Sequence, residues 1–215
     1  LSSFNPIAAL KGHSLKAGGA GWVRKVLVVL QFSVSAVIIV AIFVIYHQIQ
    51  HMRNRDLGYD RNNVLYVTVS DKLKQSYPAL KQSLMATGKL SFVALGSHSP
   101  MAMYSNGGGF KWEGKEADKD VLVTMAEMDN QYLKTFGIGL AAGHGFNENP
   151  EVDSNAVIIN DRMAKLMGSA GHIGGKIYRG GEPTRTIIGI TKPFVYNSVA
   201  AATTAPLVFY NYPSM

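Results

Sequence analysis

The chain has 215 residues, no cysteine and a formal net charge of +7. The lack of cysteine excludes disulfides, thiolate nucleophiles and cysteine metal ligands. The charge would suit a nucleic-acid partner, but residues 1–60 carry +4 of it and the longer remainder only +3. Because this excess flanks an apolar segment, it is better explained by lipid headgroups, and we expect no nucleic-acid binding.

The first long element is an uncharged run from Val26 to Tyr46, VLVVLQFSVSAVIIVAIFVIY. As a helix it covers about 31 Å, the hydrocarbon thickness of a bilayer. The run is longer than the apolar core of a signal peptide. It is also apolar on every side, which a buried helix of a soluble protein seldom sustains. We expect a basic segment over residues 1–21, a membrane helix and stalk over 22–52, and a globular domain over 53–215.

Polar and aromatic residues define candidate membrane contacts. Trp22, Arg24, Lys25 and Tyr46 stand at the ends of the run, where aromatic rings and basic side chains meet lipid headgroups. Gln31 and Ser35 are four residues apart and share a helical face, which favours a partner helix, although a lone helix also tolerates such residues. Basic residues are nearly equal on the two sides, so the positive-inside rule does not decide the orientation.

The segment after the stalk has the pattern of an α+β domain. A turn at Asp56-Leu57-Gly58 precedes a predicted β-α-β unit and then a flexible loop or hairpin at Gly107–Gly109. The predicted elements of the unit are a strand over Asn63–Ser70, a helix over Tyr77–Thr87 and a strand over Ser91–Ser97.

The second half predicts short helices on a mixed sheet. A charged turn, EGKEADKD, joins a predicted strand pair, Phe110–Trp112 with Val121–Met128. Asp129 or Asn130 is expected to cap a helix to Thr135, and Asn160 a helix that ends at Met167 before Gly168. The other predicted strands are Ala156–Ile159, a hairpin of Lys176–Tyr178 with Arg185–Ile190, and Pro206–Tyr210.

No pattern in the chain predicts catalysis, a cofactor or a metal site. Near Gly175-Lys176, a phosphate loop lacks its first glycine and its hydroxyl. Gly137-Ile138-Gly139 resembles a dinucleotide fingerprint, but no helix start follows it. His47 and His51 share a helix face without a third ligand. The remaining candidates, His98, His144, His172 and the mixed-charge cluster at 111–120, are typical of polar surface. We expect no enzyme activity.

Six collinear segments carry a family resemblance. They are LSSFNPIAALKG (1–12), the anchor RKVLVVLQFSVSAVIIVAIFVIYHQIQ (24–50), DLGYDRNNVLYV (56–67), YLKTFGIGLAAG (132–143), AVIINDRMAKLMG (156–168) and RTIIGITKPFVYNS (185–198). Together they resemble the FtsX-like/MacB-like ABC transporter permeases in the multi-span form with two extracytoplasmic domains. Pro193 stands where that family usually has an acidic residue.

The resemblance implies a location and a set of partners. It implies that Asn5, Pro6, Leu10 and Lys11 lie in a cytoplasmic coupling segment near a separate ABC-type ATPase. The membrane would be the bacterial inner membrane, and the main domain would have the MacB-like periplasmic core fold on its outer side. Other permease helices or a second permease copy would be partners. The resemblance also implies that the chain, which begins with Leu1, is part of a longer permease for export or mechanotransmission.

Two other function classes remain open. A single-span sensor or adhesin whose outer domain binds a ligand would also combine one anchor with an α+β domain. An anchored enzyme is a third possibility, and it lacks a reactive constellation in the sequence.

Overall fold

The computed structural model describes residues 20–54, 56–116, 120–196 and 205–212. The chain divides into two compact units, Leu1–Arg55 and Asp56–Met215. The described part of the first unit is one α-helix, α1, over Ala20–Asn54. At 1.5 Å per residue its 35 residues extend about 52 Å, so the helix exceeds the hydrocarbon thickness by roughly 20 Å.

The second unit is a mixed α/β domain built on an eight-stranded sheet in its described residues. The strands are β1 Asn106–Gly107, β2 Phe110–Trp112, β3 Val123–Met128, β4 Leu140–Gly143, β5 Ala156–Asn160, β6 Lys176–Arg179, β7 Arg185–Thr191 and β8 Leu207–Asn211. Four α-helices accompany them: α2 Asp71–Gln75, α3 Tyr77–Ala86, α4 Tyr132–Thr135 and α5 Asp161–Met167. Short 3₁₀ helices cover Pro150–Asp153 and Gly168–Ala170.

The sheet is curled, and its two outer strands are consecutive in the chain. The strand order is β1-β3-β8-β5-β7-β6-β2, with β4 also pairing with β7. Only Gly108 and Gly109 separate β1 from β2, which lie at opposite ends of this order, so the two ends of the sheet approach each other. The conformation of the link favours glycine. Gly109 has φ +80°, and a Cβ at Gly108 would lie 2.6 Å from the Asp120 carboxylate.

Side chains that alternate along the strands fill two separate cores. In β5 and β8, Ala156, Ile158, Leu207 and Phe209 enter one cluster, with Tyr132 of α4 and Phe194. The intervening residues enter the other cluster, with Met163 and Met167 of α5, and they are Val157, Ile159, Val208 and Tyr210. Because both faces of the central strands are buried, these strands are continuously apolar. Hydrophobic packing on both faces of the sheet therefore forms the core of the described part of the domain.

Most sequence predictions for the second half of the domain are confirmed. The buried strand at Ala156–Ile159, the helix to Met167, the antiparallel pair at Lys176–Tyr178 and Arg185–Ile190, and the last strand all form. Helix α3 forms as predicted over Tyr77–Thr87, with its last helical residue at Ala86. Asn160 is the predicted N-cap, and its side-chain oxygen accepts a hydrogen bond from the Met163 amide at 2.8 Å.

Several predictions are wrong in pairing or extent. Residues 63–70 form no strand, and residues 91–97 contribute only an isolated bridge between Gly96 and Met128. Strand propensity requires a neighbouring strand, and no described strand pairs with residues 63–70. The strands over Phe110–Trp112 and Val123–Met128 exist but do not pair with each other. The first pairs with β6 and the second with β1 and β8, because the glycine link redirects the chain.

The predicted cap of the short helix α4 is also wrong. Gln131, and neither Asp129 nor Asn130, is the N-cap, and its side chain makes no capping hydrogen bond. Asp129 Oδ1 instead accepts a hydrogen bond from the Gln131 amide at 3.1 Å. This hydrogen bond closes a turn that precedes the helix. The charged turn predicted after Trp112 lies partly outside the described residues, because 117–119 are not described.

Substituting Asn160 tests the packing of this domain. Its Oδ1 accepts from the amides of Met163 and Leu207, and its Nδ2 donates to the Ala205 carbonyl. Asn160→Ala removes the acceptor of the buried Met163 and Leu207 amides, so we expect a loss of about 3 kcal/mol in the free energy of unfolding. Denaturant unfolding followed by Trp112 fluorescence measures this loss. The exposed cap Asn149, whose side chain accepts from the Glu151 amide, is the matched control.

Asn149→Ala should cost less than about 1 kcal/mol, because water can replace an exposed cap. Equal losses for the two variants would contradict the assigned role of Asn160.

Candidate functional site

The first candidate site is α1 itself. From Gly21 to Asn54 it is long and apolar enough to cross a membrane, and the rest of the described chain buries none of its apolar window. No other helix in the described ranges meets the same criteria. Its exposed large side chains cover every face of the helix, from Trp22 to Ile49. Water is a poor solvent for such a surface, whereas lipid is a good one.

The predicted interface and contact residues all lie on this helix. Trp22 and Tyr46 are exposed, and so are Arg24 and Lys25 in the first two turns. Gln31 and Ser35 are one turn apart with exposed side chains. The predicted coupling residues Asn5, Pro6, Leu10 and Lys11 lie outside the described residues.

Beyond the apolar run the helix continues as a polar stalk. Phe43 and His47 form an edge-on ring contact at 4.5 Å, and Gln50 donates to the Tyr46 hydroxyl at 3.2 Å. Both contacts join residues four apart on one face and strengthen the helix where it leaves the apolar run. The described residues contain no group of three His, Cys, Asp or Glu able to hold a metal.

The second candidate site is the entry segment, defined here as Asp56–Asp60, through which the chain enters the domain. Leu57 is buried, and its carbonyl accepts from the Val195 amide at 2.8 Å. The Asp60 amide donates to the Phe136 carbonyl at 2.7 Å. Tyr59 packs against the core cluster that contains Phe136. The entry segment is thus bound to the core at both of its ends.

Glycine is required in the middle of the entry segment. Gly58 has φ +72°, and a Cβ there would lie 2.4 Å from the Pro193 carbonyl oxygen and 2.9 Å from Phe194 Cα. Phe194 is buried and stacks on Phe209 of β8 at 6.3 Å. Phe194 therefore lies between Gly58 and the central strand β8. The sequence indicated the turn, but not its contact with a loop so distant in the chain.

A third feature is a polar latch between α3 and the end of β3. The Tyr77 hydroxyl donates to Asp129 Oδ2 at 2.6 Å, and Lys81 Nζ lies 3.4 Å from the same oxygen. Burial, and then the hydrogen bond to Asp129, raises the pKa of Tyr77 above its ordinary value. No residue of α3 is fully buried, and this latch is one of its attachments to the rest of the domain. The sequence analysis did not identify it.

The sequence of the chain matches a known family over most of its length. The model of the MacB-like periplasmic core domain matches residues 26–215, which include both the apolar run and the domain. The chain therefore belongs to this family, whose members are components of ABC transporter permeases. The predicted family and fold class are confirmed: one long apolar N-terminal helix is followed by a mixed α/β domain.

The solved structures found by comparison are more distant. The periplasmic region of MacB from Actinobacillus actinomycetemcomitans is 12% identical, with 62% of this chain and 55% of that chain covered and a TM-score of 0.41. A domain of a putative permease protein from Porphyromonas gingivalis is 18% identical, with coverages of 58% and 52% and a TM-score of 0.41. The chain spans about half the length of these two.

A third similar structure comes from Gram-positive bacteria. The extracellular domain of the noncanonic ABC-type transporter YknZ is 17% identical, with 68% of this chain and 71% of that chain covered and a TM-score of 0.42. No curated protein matches the chain. With TM-scores this low, the assignment depends on the family match alone.

Substituting Gly58 tests the contact of the entry segment. Gly58→Ala should weaken the attachment of residues 56–60, because the new methyl group collides with Pro193 in addition to the cost of a positive φ. Amide hydrogen exchange at Asp60 and Val195 should accelerate at least about tenfold.

Gly88 is the matched control, since it also has a positive φ, +66°, but no atom within 4 Å of a Cβ. Gly88→Ala carries only the backbone cost of about 1 kcal/mol and should leave exchange at Asp60 and Val195 unchanged. If exchange at Asp60 and Val195 stays as slow in Gly58→Ala as in the unsubstituted protein, the contact of Gly58 with Pro193 does not hold the entry segment.

Proposed function

We propose that this chain is part of the membrane permease subunit of an ABC transporter, in which α1 carries motion driven by a separate ATPase to an extracytoplasmic domain. The family match supports the permease class. The observation that carries the coupling role is the continuity of α1, which has no break between the apolar run and its end at Asn54. A continuous helix transmits displacement better than a flexible linker.

The location follows from the same proposal. The bilayer is the bacterial inner membrane, α1 crosses it, and the domain lies on the outer side. Trp22, Arg24, Lys25 and Tyr46 then contact the headgroup layers at the two ends of the span. Gln31 and Ser35 contact another helix, either in the same permease or in a second copy, because a polar side chain in lipid is stabilised by a polar partner.

On the cytoplasmic side the proposal assigns Asn5, Pro6, Leu10 and Lys11 to a segment that contacts the ATPase. ATP-driven closure of the ATPase displaces this segment and with it α1. On the outer side the motion enters the domain at the entry segment. Its output is either export of a substrate or a mechanical signal to an envelope partner.

Removing the basic segment tests the coupling. In the full-length permease expressed with its ATPase, deletion of residues 1–16 should release the ATPase from the membrane fraction and leave the permease inserted. Quantitative blotting of washed membranes measures both proteins. Lys72→Ala with Lys74→Ala in α2 is the control and should retain the ATPase. Unchanged recruitment after the deletion would remove this part of the proposal.

Weakening the helix in the stalk tests separately whether α1 acts as a rigid lever. Replacing Ile49 and Gln50 with glycine lowers the stability of the helix by about 1 kcal/mol at each position. The stalk should then bend, and the displacement of α1 should not reach the domain. ATPase recruitment should persist, while transport or signalling per ATP hydrolysed should fall. The same pair replaced with alanine keeps the helix and should keep coupling. Full coupling with the glycine pair would show that the stalk does not act as a lever.

A further inference from the structure

A small cavity lies between the turn that follows β3 and the segment that contains β4. Its volume is about 190 Å³. The apolar side chains that line it are Met128, Leu133, Ile138, Leu140 and Phe146. All of them except Leu140 are buried members of the first core cluster, and Leu140 packs against that cluster. The floor of the cavity is therefore part of the packed core, and its shape exists before anything binds.

The size of the cavity restricts what can fill it. Pockets for cofactors and drug-sized ligands usually have volumes of about 300–1,000 Å³. The observed volume suits about one large apolar side chain, the dimension of the pockets that receive anchor residues at protein interfaces. The lining includes Gly145, where a Cβ would meet no atom within 4 Å, so open space lies directly above it.

The charge at the rim is positive. The Asp129 carboxylate is already engaged by the Tyr77 hydroxyl, the Gln131 amide and Lys81. Lys134, also on the rim, is exposed and forms no ion pair with any described carboxylate. Lys192 likewise forms none, and its side chain runs along Gly139, between the lining residues Ile138 and Leu140. The Lys134 ammonium group thus stands at the cavity without an ion pair to a described carboxylate, and the Lys192 side chain lies against the neighbouring Gly139.

We propose that this cavity receives one apolar side chain of an acidic protein partner on the outer side of the membrane. The apolar lining supplies the burial, and Lys134 and Lys192 attract carboxylates that flank the inserted side chain. The inference rests on the proposed function, for which it gives the envelope partner a docking point. It places that point beside the polar latch, so an occupied cavity adjoins the attachment of α3.

The test uses the whole chain in lipid nanodiscs and a synthetic pentapeptide with one central leucine flanked by two glutamates on each side. Methyl NMR of the labelled methionines reports occupancy through Met128, which lines the cavity, while buried Met163 in the other core reports folding. The peptide should shift the Met128 signal and leave Met163 in place. Peptides with alanine for leucine, or lysine for the glutamates, should not shift it.

Two variants separate this site from general binding. Gly145→Trp fills the cavity and should abolish the shift, whereas Gly180→Trp, at a glycine that also has no atom within 4 Å of a Cβ, should not. Lys134→Glu reverses an exposed charge without disturbing packing and should weaken binding about fivefold or more. If Gly145→Trp also shifts the Met163 signal, Lys134→Glu is the variant that tests the site.

Two outcomes would overturn the proposal: no Met128 shift with the leucine peptide, or an equal shift in Lys134→Glu. ATPase recruitment by the permease does not depend on this cavity and is measured separately. Loss of peptide binding with intact recruitment therefore contradicts only the docking site.

Discussion

The transfer of one apolar helix from water to lipid is the interaction on which the other features depend. The side chains of α1 are exposed on all sides along a run that matches the bilayer, and nothing in the described chain covers them. Their burial in lipid gains roughly 25 cal/mol per Å² of apolar surface. In the proposed arrangement this gain holds the chain at a membrane, and Asp56–Met215 forms a separate compact unit.

In the proposed lever mechanism, the domain withstands force through its own packing. It contains no cysteine, so its resistance comes from the two cores on either face of the sheet and from the glycine link between the outer strands. The entry segment joins this structure where Gly58 meets Pro193 and Phe194, directly over Phe209 of the central strand β8. Helix α3, which has no fully buried residue, is attached to the end of β3 by the Tyr77–Asp129 latch.

Interactions between residues close together in sequence made about half of this structure predictable. The span, the Asn160 cap, the buried strand before it and the β6–β7 hairpin each follow from residues close together in sequence. The strand expected over Asn63–Ser70 is absent because strand propensity is realised only beside a partner, and Leu65 there is 86% exposed. Three features were not predicted because each joins segments that are distant in the sequence. They are the contact of Gly58 with Pro193, the sheet closure at Gly108-Gly109 and the cavity beside Lys134.

The sidedness of the two ends of α1 tests the central claim most directly, and the absence of cysteine makes the measurement clean. Single cysteines at Ser3, in the basic segment, and at exposed Ser83 of α3 are treated with a membrane-impermeant maleimide in spheroplasts. The account predicts labelling of Ser83→Cys in intact spheroplasts and of Ser3→Cys only after lysis. Labelling of both positions before lysis, or recovery of the protein in the soluble fraction, would contradict it.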